Sequence, residues 1–398
     1  MKKRIFSSTL TFIVLMGIVS LLSDMTHEGA RSIYGPFLYL SGASATVIGF
    51  ISGLGEFIGN SLILLTGWIA DKTKKYWLMT IIGYTINLLA IPALALVPEN
   101  GWMLACSLIL VERIGRAIRK PSKSTMVSFA SKELGAGKTF AILEFMDQIG
   151  AFLGPFLLFF VLLFKGENSD FNTYRLIFVL LGIPAILTLI VLFIAKKKFP
   201  NPSNFEPDTK IKNTIRIENS FVFYLIAISF FAFGFIDFPL ISLHISKLSI
   251  ISNDVLPLLY ALAMIVDAFA ALFFGWIFDK YGIKVLILST ILSSTFAIFV
   301  FSFSSIGFII LGIMMWGIGM GAQESILKST VAMIIPKENR SVGFGVFEMV
   351  FGLAWFAGSW LLGYLYDVNI LLMISISVTV QLLSIPFYFM VIKTNISV

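Results

Sequence analysis

The chain has 398 residues and a formal net charge of +7; 58% of its residues are apolar and only 13% are charged. A soluble globular domain carries about twice that share of charged residues, so the composition excludes an ordinary soluble protein. Apolar runs of about 18 residues or more recur along the chain, and each is long enough to cross a bilayer. The single cysteine, Cys106, excludes an internal disulfide.

Twelve apolar segments follow one another along the chain and predict twelve transmembrane helices. The first segment begins after a basic start, Met-Lys-Lys-Arg, which resembles a secretory signal. No small-residue cleavage site follows and the apolar pattern continues to Leu40, so we interpret the segment as the first span. The predicted helices cover residues 7–38, 46–69, 76–97, 102–130, 139–164, 174–195, 220–247, 255–278, 285–303, 306–335, 342–366 and 369–392.

Basic residues are unevenly distributed between the two sides of the predicted bundle. If the N-terminus and every second loop lie on one side, that side holds 24 of the 29 lysines and arginines. This bias predicts that both termini are cytoplasmic. The polar stretch 196–219 contains three prolines and predicts a cytoplasmic linker between a six-helix half at 1–195 and a second half at 220–398.

One stretch at the end of predicted helix 2 occurs twice. Gly-Trp-Ile-Ala-Asp-Lys at residues 67–72 recurs as Gly-Trp-Ile-Phe-Asp-Lys at residues 275–280, 208 positions later. A glycine one turn before an aspartate lets a neighbouring helix approach on that face. The aspartate then lies at the membrane edge, where it can pair with a base or a helix N-terminus. The repetition indicates a duplicated chain.

The repeated stretch resembles the loop signature of the major facilitator superfamily, Gly-x-x-x-Asp-(Arg/Lys)-x-Gly-x-(Arg/Lys). The second copy keeps the later glycine as Gly282, whereas the first has Lys74 at that position. Glu144 also recurs as Glu348, 204 positions later. The resemblance covers essentially the whole chain. It implies an all-α membrane protein with 12 transmembrane helices in two parallel six-helix repeats.

The resemblance also implies a secondary transporter whose halves rock about a midplane site. The chain has no nucleotide-binding glycine loop, so ATP drive is not expected. It has no Cys/His cluster or nucleophile motif either, and we expect no enzymatic activity and no cofactor. The expected partners are a small-molecule substrate, protons as the coupling ion and the lipid bilayer. We expect a monomer and no nucleic-acid partner.

Ionisable side chains at membrane depth are costly, so each is a candidate for substrate binding or proton coupling. The densest set, at spacing i, i+3, i+4, i+7, lies on one face of predicted helix 1. The resemblance implies that this face lines the central cavity, and that Arg113 is a buried base acting on a proton-carrying acid. A structural ion pair is the alternative role for these groups. The candidates are Asp24, His27, Glu28, Arg31, Glu56, Arg113, Asp237 and Asp267.

Charged groups near the cytoplasmic ends of the predicted helices suggest a gate. Lys123 and Glu144 reach similar depth, and Lys328 and Glu348 repeat the arrangement, so two interhelical salt bridges are expected. A charge run that only marks the cytoplasmic side is the alternative. The gate candidates are Gly67, Asp71, Lys72, Arg119, Lys123, Glu144, Gly275, Asp279, Lys280, Lys328 and Glu348.

A glycine pair on predicted helix 5 favours export over uptake. Gly150-Ala-Phe-Leu-Gly154-Pro155 resembles the antiporter motif of exporting facilitators, without its trailing Gly-Gly. The leading hypothesis is therefore proton-coupled efflux of a small amphiphilic molecule across the cell membrane. The alternatives are an uptake symporter of a small metabolite, a non-transporting receptor or scaffold, and a divalent metal exporter. The metal ligands would be Asp24, His27 and Glu28, with Asp237 or His244.

Overall fold

The computed structural model describes residues 2–134, 136–165, 170–201, 219–248, 251–335 and 340–396. All regular secondary structure in these ranges is helical. The helices are α1 (Lys2–Leu40), α2 (Ala45–Thr73), α3 (Tyr76–Ala93), α4 (Trp102–Leu134), α5 (Ala136–Lys165), α6 (Phe171–Lys198), α7 (Asn219–Gly234), α8 (Phe238–Leu248), α9 (Leu256–Tyr281), α10 (Lys284–Ser294), α11 (Phe296–Ser302), α12 (Ile306–Ala322), α13 (Lys328–Ile334), α14 (Arg340–Val368) and α15 (Ile370–Ile396).

These helices form the twelve spans predicted from the sequence. The seventh span consists of α7 and α8, the ninth of α10 and α11, and the tenth of α12, a π-helical turn and α13. In the described ranges, eleven helical segments are long and apolar enough to cross a bilayer. The remaining span is α4, which is long enough to cross a bilayer but carries more charged residues than the other eleven segments do in their apolar stretches. The predicted all-α membrane architecture is therefore confirmed.

The break in the seventh span was not predicted. Pro239 lacks a backbone N–H, so it fits at the start of α8 rather than inside a continuous helix. Asp237 accepts a hydrogen bond from the backbone N–H of Phe238, the first residue of α8, at 2.8 Å, which satisfies one of the free N–H groups at the start of that helix. The freed carbonyl of Ile236 accepts from the indole N–H of Trp316 at 2.9 Å. Such partners make irregular backbone tolerable at membrane depth.

Helix packing in the first six spans is repeated in the last six. Helix α1 packs on α5 and α6, and α7 packs correspondingly on α14 and α15. The two groups meet where α2 packs on α14 and where α5 packs on α9. Gly154 of α5 lies against the backbone of Met25, and its counterpart Gly358 of α14 lies against the backbone of Phe233. The expected linker at 196–219 falls largely outside the described residues, so the domain boundaries stay a prediction.

Both copies of the repeated stretch end at a residue with a positive φ, but the two turns differ. Lys74 has φ +55° and ψ +15° and caps α2, whereas Gly282 has φ +61° and ψ −145° and caps α9. A positive φ is strained for a residue with a side chain, by about 1–2 kcal/mol, but not for glycine. Lys74 is in the left-handed helical region, whereas the ψ of Gly282 belongs to a region that favours glycine alone, so the first copy ends in a different turn from the second.

We name the two ends of the bundle by their residues. The basic end contains Lys72 and Lys74. The C-terminus of α6 lies at the same end, since the carbonyl of Phe199 accepts a hydrogen bond of 2.9 Å from the indole N–H of Trp77, which follows Lys74 closely in the chain. The opposite end holds Thr46 and Asp367, which are joined by a hydrogen bond of 2.7 Å.

Candidate functional site

The polar face predicted on the first helix lies inside the bundle. His27 is 1% exposed, Arg31 5% and Glu28 9%. The Asp24 side chain lies nearer the basic end and is 20% exposed to solvent. Their partners come from α2, α4, α9 and the loop before α8, so the face forms the centre of a network that joins both halves.

His27 contacts helix α4 through both ring nitrogens. Nδ1 lies 2.9 Å from Oε1 of Glu112, and Nε2 lies 2.9 Å from Nη1 of Arg116. Arg113 also approaches Nε2, at 3.4 Å. Glu112 is fully buried and accepts a hydrogen bond from the side-chain amide of Asn87 on α3. Helix α4 therefore supplies the polar wall that faces α1.

Arg113 is held between two carboxylates. Its Nη1 lies 2.8 Å from Oε1 of Glu56 on α2, and its Nε lies 3.4 Å from Oε2 of Glu112. Glu56 keeps 25% of its side-chain exposure. Glu56 and Arg113, both candidates from the sequence, are thus partners in one ion pair.

Among the described residues, two side-chain hydrogen bonds join α1 to the second half. Arg31 donates a hydrogen bond of 2.6 Å to Oδ1 of Asp237, which lies in the break between α7 and α8. Tyr260 of α9 donates a hydrogen bond of 2.5 Å to Glu28. Glu28 also lies 3.7 Å from Arg31. The expected local pair Glu28–Arg31 thus forms as part of a connection between the halves.

The second half presents aromatic rings beside these contacts. Phe238 packs edge-on against Tyr260 at 4.4 Å between ring centroids, and it approaches Trp316 at 5.5 Å. The ring centroids of Phe235 and Trp355 are 5.3 Å apart. The site therefore has a charged wall from the first half and an aromatic wall from the second.

Asp24 lies in a second charged group, nearer the basic end. Oδ1 of Asp24 is 4.0 Å from Nη2 of Arg119, whose guanidinium stacks on Tyr84 at 4.3 Å. Asp147 of α5 and Lys123 of α4 are further charged neighbours of Asp24.

The expected Lys123–Glu144 salt bridge is wrong in this conformation. Lys123 instead donates a hydrogen bond to the hydroxyl of Ser20, and its acidic neighbour on α5 is Asp147. Glu144 is exposed and accepts from Gln148 at 3.4 Å. The reason is helical phase: Asp147 lies about 60° from Glu144 around the helix, on the side that faces α1 and α4.

The expected tight packing at the two motif glycines is not found. A Cβ at Gly275 would have open space, and a Cβ at Gly67 would lie 3.6 Å from Pro121, an ordinary contact distance. The lysines after the aspartates are exposed and lie over aromatic rings, Lys72 over Trp68 at 4.9 Å and Lys280 over Tyr281 at 5.3 Å.

The other gate candidates are placed as follows. Glu348 is half-buried on α14. The side chains of Asp71, Asp279 and Lys328 lie outside the described part of the structure, so their expected pairing stays a prediction.

Two further candidates lie away from the network around His27. Asp267 is buried on α9, where its backbone lies against Gly321 of α12. His244 lies at the opposite end, with Nδ1 at 3.0 Å from the hydroxyl of Tyr366. In the described ranges, no group of three or more His, Cys, Asp or Glu residues is arranged to hold a metal ion. Because His27 uses both nitrogens for other partners, the geometry does not favour the metal-exporter alternative.

The glycine pair of α5 brings this helix against α1 beside Asp24. Gly150 lies against the backbone of Leu21, and a Cβ at Gly154 would lie only 3.0 Å from the amide nitrogen of Gly29. Pro155 follows inside the helix, where it removes one backbone hydrogen bond.

Replacing Gly154 with Ala is expected to disrupt this crossing. The added methyl group would overlap the backbone of Met25, and overpacking of this kind costs about 1–3 kcal/mol. Thermal unfolding of the purified protein in detergent measures the effect. The matched control is Gly59→Ala on α2, because a Cβ there meets nothing within 4 Å. Equal unfolding temperatures for the two variants would contradict the close approach of α5 and α1.

Comparison with known proteins identifies the family. The model of the Major Facilitator Superfamily matches residues 5–359, and it matches again at 223–395. The chain belongs to the major facilitator superfamily. An uncharacterized protein of Mycobacterium tuberculosis is 32% identical over 384 residues, which cover 95% of this chain and 92% of that protein. An uncharacterized MFS-type transporter of Methanocaldococcus jannaschii is 28% identical, over 90% of this chain and 89% of its own.

Solved structures show the same fold in other facilitators. A bacterial homologue of the human lysosomal transporter Spinster, in an inward-facing and occupied conformation, superposes with a TM-score of 0.73 over 96% of both chains, at 15% identity. The chain is accordingly a multi-pass membrane protein with the family and fold of secondary transporters, which generally bind small-molecule substrates.

The sequence reasoning missed several members of the site. Glu112, Asn87, Arg116 and Tyr260 were not among its candidates, although all four contact the predicted face of α1 or its partners. Glu112 and Arg116 are four residues apart and therefore lie on one face of helix 4, and that spacing on an otherwise apolar span was the available signal. Tyr260 gave no signal, because a tyrosine in an apolar run is common.

Proposed function

We propose that the protein exports a small amphiphilic molecule in exchange for protons, by alternating access of two six-helix halves. It acts as a monomer in the cell membrane with both termini in the cytoplasm, so that the basic end is the cytoplasmic end. The observation that carries the proposal is the buried charged network between α1, α2, α4 and the seventh span.

The charges of this network do not cancel. Four carboxylates face three guanidinium groups: Glu28, Glu56, Glu112 and Asp237 against Arg31, Arg113 and Arg116. An uncompensated charge away from water is costly, and binding one proton makes the network neutral. A network with one carboxylate in excess is therefore suited to bind and release a proton during each transport cycle.

The two walls of the site support an amphiphilic substrate. The charged wall of α1 and α4 can bind a polar group. The rings of Phe235, Trp316 and Trp355 are buried against one another in this conformation, and they can pack against an apolar body once the halves move apart. Binding between the two walls would place the substrate against both halves at once. Its arrival would then change the contacts that hold the halves together, as alternating access requires.

The contacts between the halves support a conformation open toward the basic end. Among the described residues, the hydrogen bonds between the halves are Arg31–Asp237, Glu28–Tyr260 and, at the opposite end, Thr46–Asp367, whereas the contact of Gly345 with Leu64 nearer the basic end is apolar. On the basic side of these links Asp24 keeps part of its exposure. A cytoplasmic opening of this kind lets an exporter take up its substrate from inside the cell.

Closing the basic end requires groups that this conformation leaves apart. We propose that Asp71 and Asp279 pair with bases of α4 and the tenth span in the alternative conformation. The exposed positions of Lys72 and Lys280 in this conformation agree with a gate that is open. Export as the direction rests on the partial antiporter motif at Gly150 and Gly154.

Replacing Asp24 with Asn tests proton coupling. Asp24 lies between the partly exposed mouth and His27, one helical turn away, so a proton released from His27 toward the cytoplasmic, basic end passes Asp24. Cells that overproduce the wild-type protein are expected to accumulate at least about fivefold less ethidium, an amphiphilic probe, than cells that produce Asp24→Asn. The control is Glu144→Asn, an exposed acid on α5 that should behave as wild type. Equal accumulation for wild type and Asp24→Asn would contradict the proposal.

A further inference from the structure

His27 is one of only two histidines in the chain, and it is 1% exposed. The charged groups that face its ring are Glu28 of its own helix and Glu112, Arg113 and Arg116 of α4. Behind Arg113, Glu56 of α2 completes the surroundings.

These partners determine where the ring carries its proton. A guanidinium group has only donors, so Nε2 accepts the hydrogen bond from Arg116 at 2.9 Å. The carboxylate of Glu112 has only acceptors and its Oε1 lies 2.9 Å from Nδ1, so it favours a proton on that nitrogen, although the two atoms do not form a well-aligned hydrogen bond. The ring is therefore neutral in this conformation, with its single proton on Nδ1.

We propose that His27 binds the transported proton on Nε2, and that this step expels Arg116 from the ring toward Asp24, nearer the basic end. This inference rests on the proton coupling proposed above. A proton on Nε2 converts the acceptor into a donor, so the hydrogen bond from Arg116 is lost and two cations face each other. One proton is added and no other bond changes.

Arg116 is the guanidinium group that can move. Arg113 stays in place because Glu56 lies 2.8 Å and Glu112 lies 3.4 Å from it. Among the described residues, the ion pairs of α4 arginines involve Arg113 and Arg119 but not Arg116, which is half-buried. Asp24 is the nearby carboxylate on the basic side and already lies within the electrostatic reach of Arg116.

The displacement of Arg116 would link proton binding at His27 to the charge of Asp24, nearer the basic end. In the neutral state it is held at His27, and in the protonated state it can neutralise Asp24. The protonation of a buried ring is thereby converted into a change of charge at the partly exposed mouth. Such a local electrostatic change can bias a two-state protein.

The test reads the His27 ring directly. The variant His244→Gln leaves His27 as the single histidine, and His244 lies at the opposite end beside Tyr366. The ring nitrogens of the ¹⁵N-histidine-labelled protein are recorded by solid-state NMR in lipid bilayers, from about pH 9 to about pH 5. We expect a neutral ring protonated on Nδ1 at high pH and a doubly protonated ring at low pH. A neutral ring protonated on Nε2, or a ring with one protonation state over the whole range, would overturn the proposal.

A second variant tests the role of Arg116. In Arg116→Met the repulsion and the hydrogen bond to Nε2 are both absent, so the proton affinity of His27 is expected to rise about tenfold, or one pH unit. The matched control is Arg119→Met, because Arg119 stacks on Tyr84 and faces Asp24 instead of the ring. An equal effect of the two substitutions would overturn the role of Arg116. These spectra need no substrate, so they can contradict the role of His27 while the Asp24→Asn transport assay supports proton-coupled export. Equally, the spectra can support the role of His27 while the transport assay contradicts export.

Discussion

Replacing Asp237 with Asn is expected to open the end of the bundle that this conformation keeps closed. Arg31 donates a 2.6 Å hydrogen bond to Asp237, and both side chains are at least nine-tenths buried. Removing one partner of a buried ion pair costs about 3–5 kcal/mol, because the other charge stays buried. The substitution destabilises the conformation in which this end is closed, so the equilibrium between the two conformations should shift on the order of a hundredfold or more toward the alternative one.

Crosslinking at the closed end measures this shift. Thr46 and Asp367 are in hydrogen-bond contact there, so the double variant Thr46→Cys and Asp367→Cys should form a disulfide readily once Cys106 is replaced by Ser. Adding Asp237→Asn is expected to slow disulfide formation at least tenfold. Asp147→Asn is the matched control, because Asp147 lies on α5 near the basic end. Undiminished crosslinking in Asp237→Asn would show that Asp237 does not hold the end closed.

Replacing Glu112 with Leu is expected to have the largest effect on stability. Glu112 is fully buried and contacts His27, Arg113 and Asn87, so its loss leaves Arg113 with Glu56 as its one carboxylate, removes the carboxylate beside His27 and removes a hydrogen-bond acceptor of Asn87. The expected cost is about 3–5 kcal/mol of the free energy of unfolding. Fluorescence-detected unfolding in detergent, together with the yield of folded protein, gives the measurement.

Two controls separate this effect from a general intolerance of substitution in the bundle. Glu144→Leu removes an exposed acid and should change the free energy of unfolding by about 0.5 kcal/mol or less. Glu112→Gln keeps the size of the side chain and one acceptor oxygen, so it should fall between the two. If Glu112→Leu unfolds like the wild-type protein, the network does not stabilise the fold.

The sequence predicted the architecture well because the bilayer imposes simple rules. Hydropathy alone located the twelve spans, including one that the charges of α4 partly obscure. The spacing of Asp24, His27, Glu28 and Arg31 placed them on one face, and the structure shows that this face is the centre of the charged network. Local periodicity is sufficient for such predictions because it concerns a single helix.

The partners of these residues could not be predicted in the same way. Arg31 pairs with Asp237, 206 residues away, and Glu28 accepts from Tyr260, 232 residues away. Such pairs depend on how the halves dock and on the break before α8, which no local pattern fixes. The expected Lys123–Glu144 bridge was wrong for a related reason, because depth along two helices does not determine which faces meet.

Proton exchange in everted membrane vesicles tests the central claim most directly. Vesicles from cells that overproduce the protein are energised, and a panel of amphiphilic amines, carboxylates and neutral aromatic compounds is added while a fluorescent dye reports the internal acidity. The account predicts that at least one amphiphilic compound releases protons from wild-type vesicles and that Asp24→Asn vesicles show no such release. A compound that enters wild-type vesicles without proton release, or a release that is unchanged in Asp24→Asn, would contradict it.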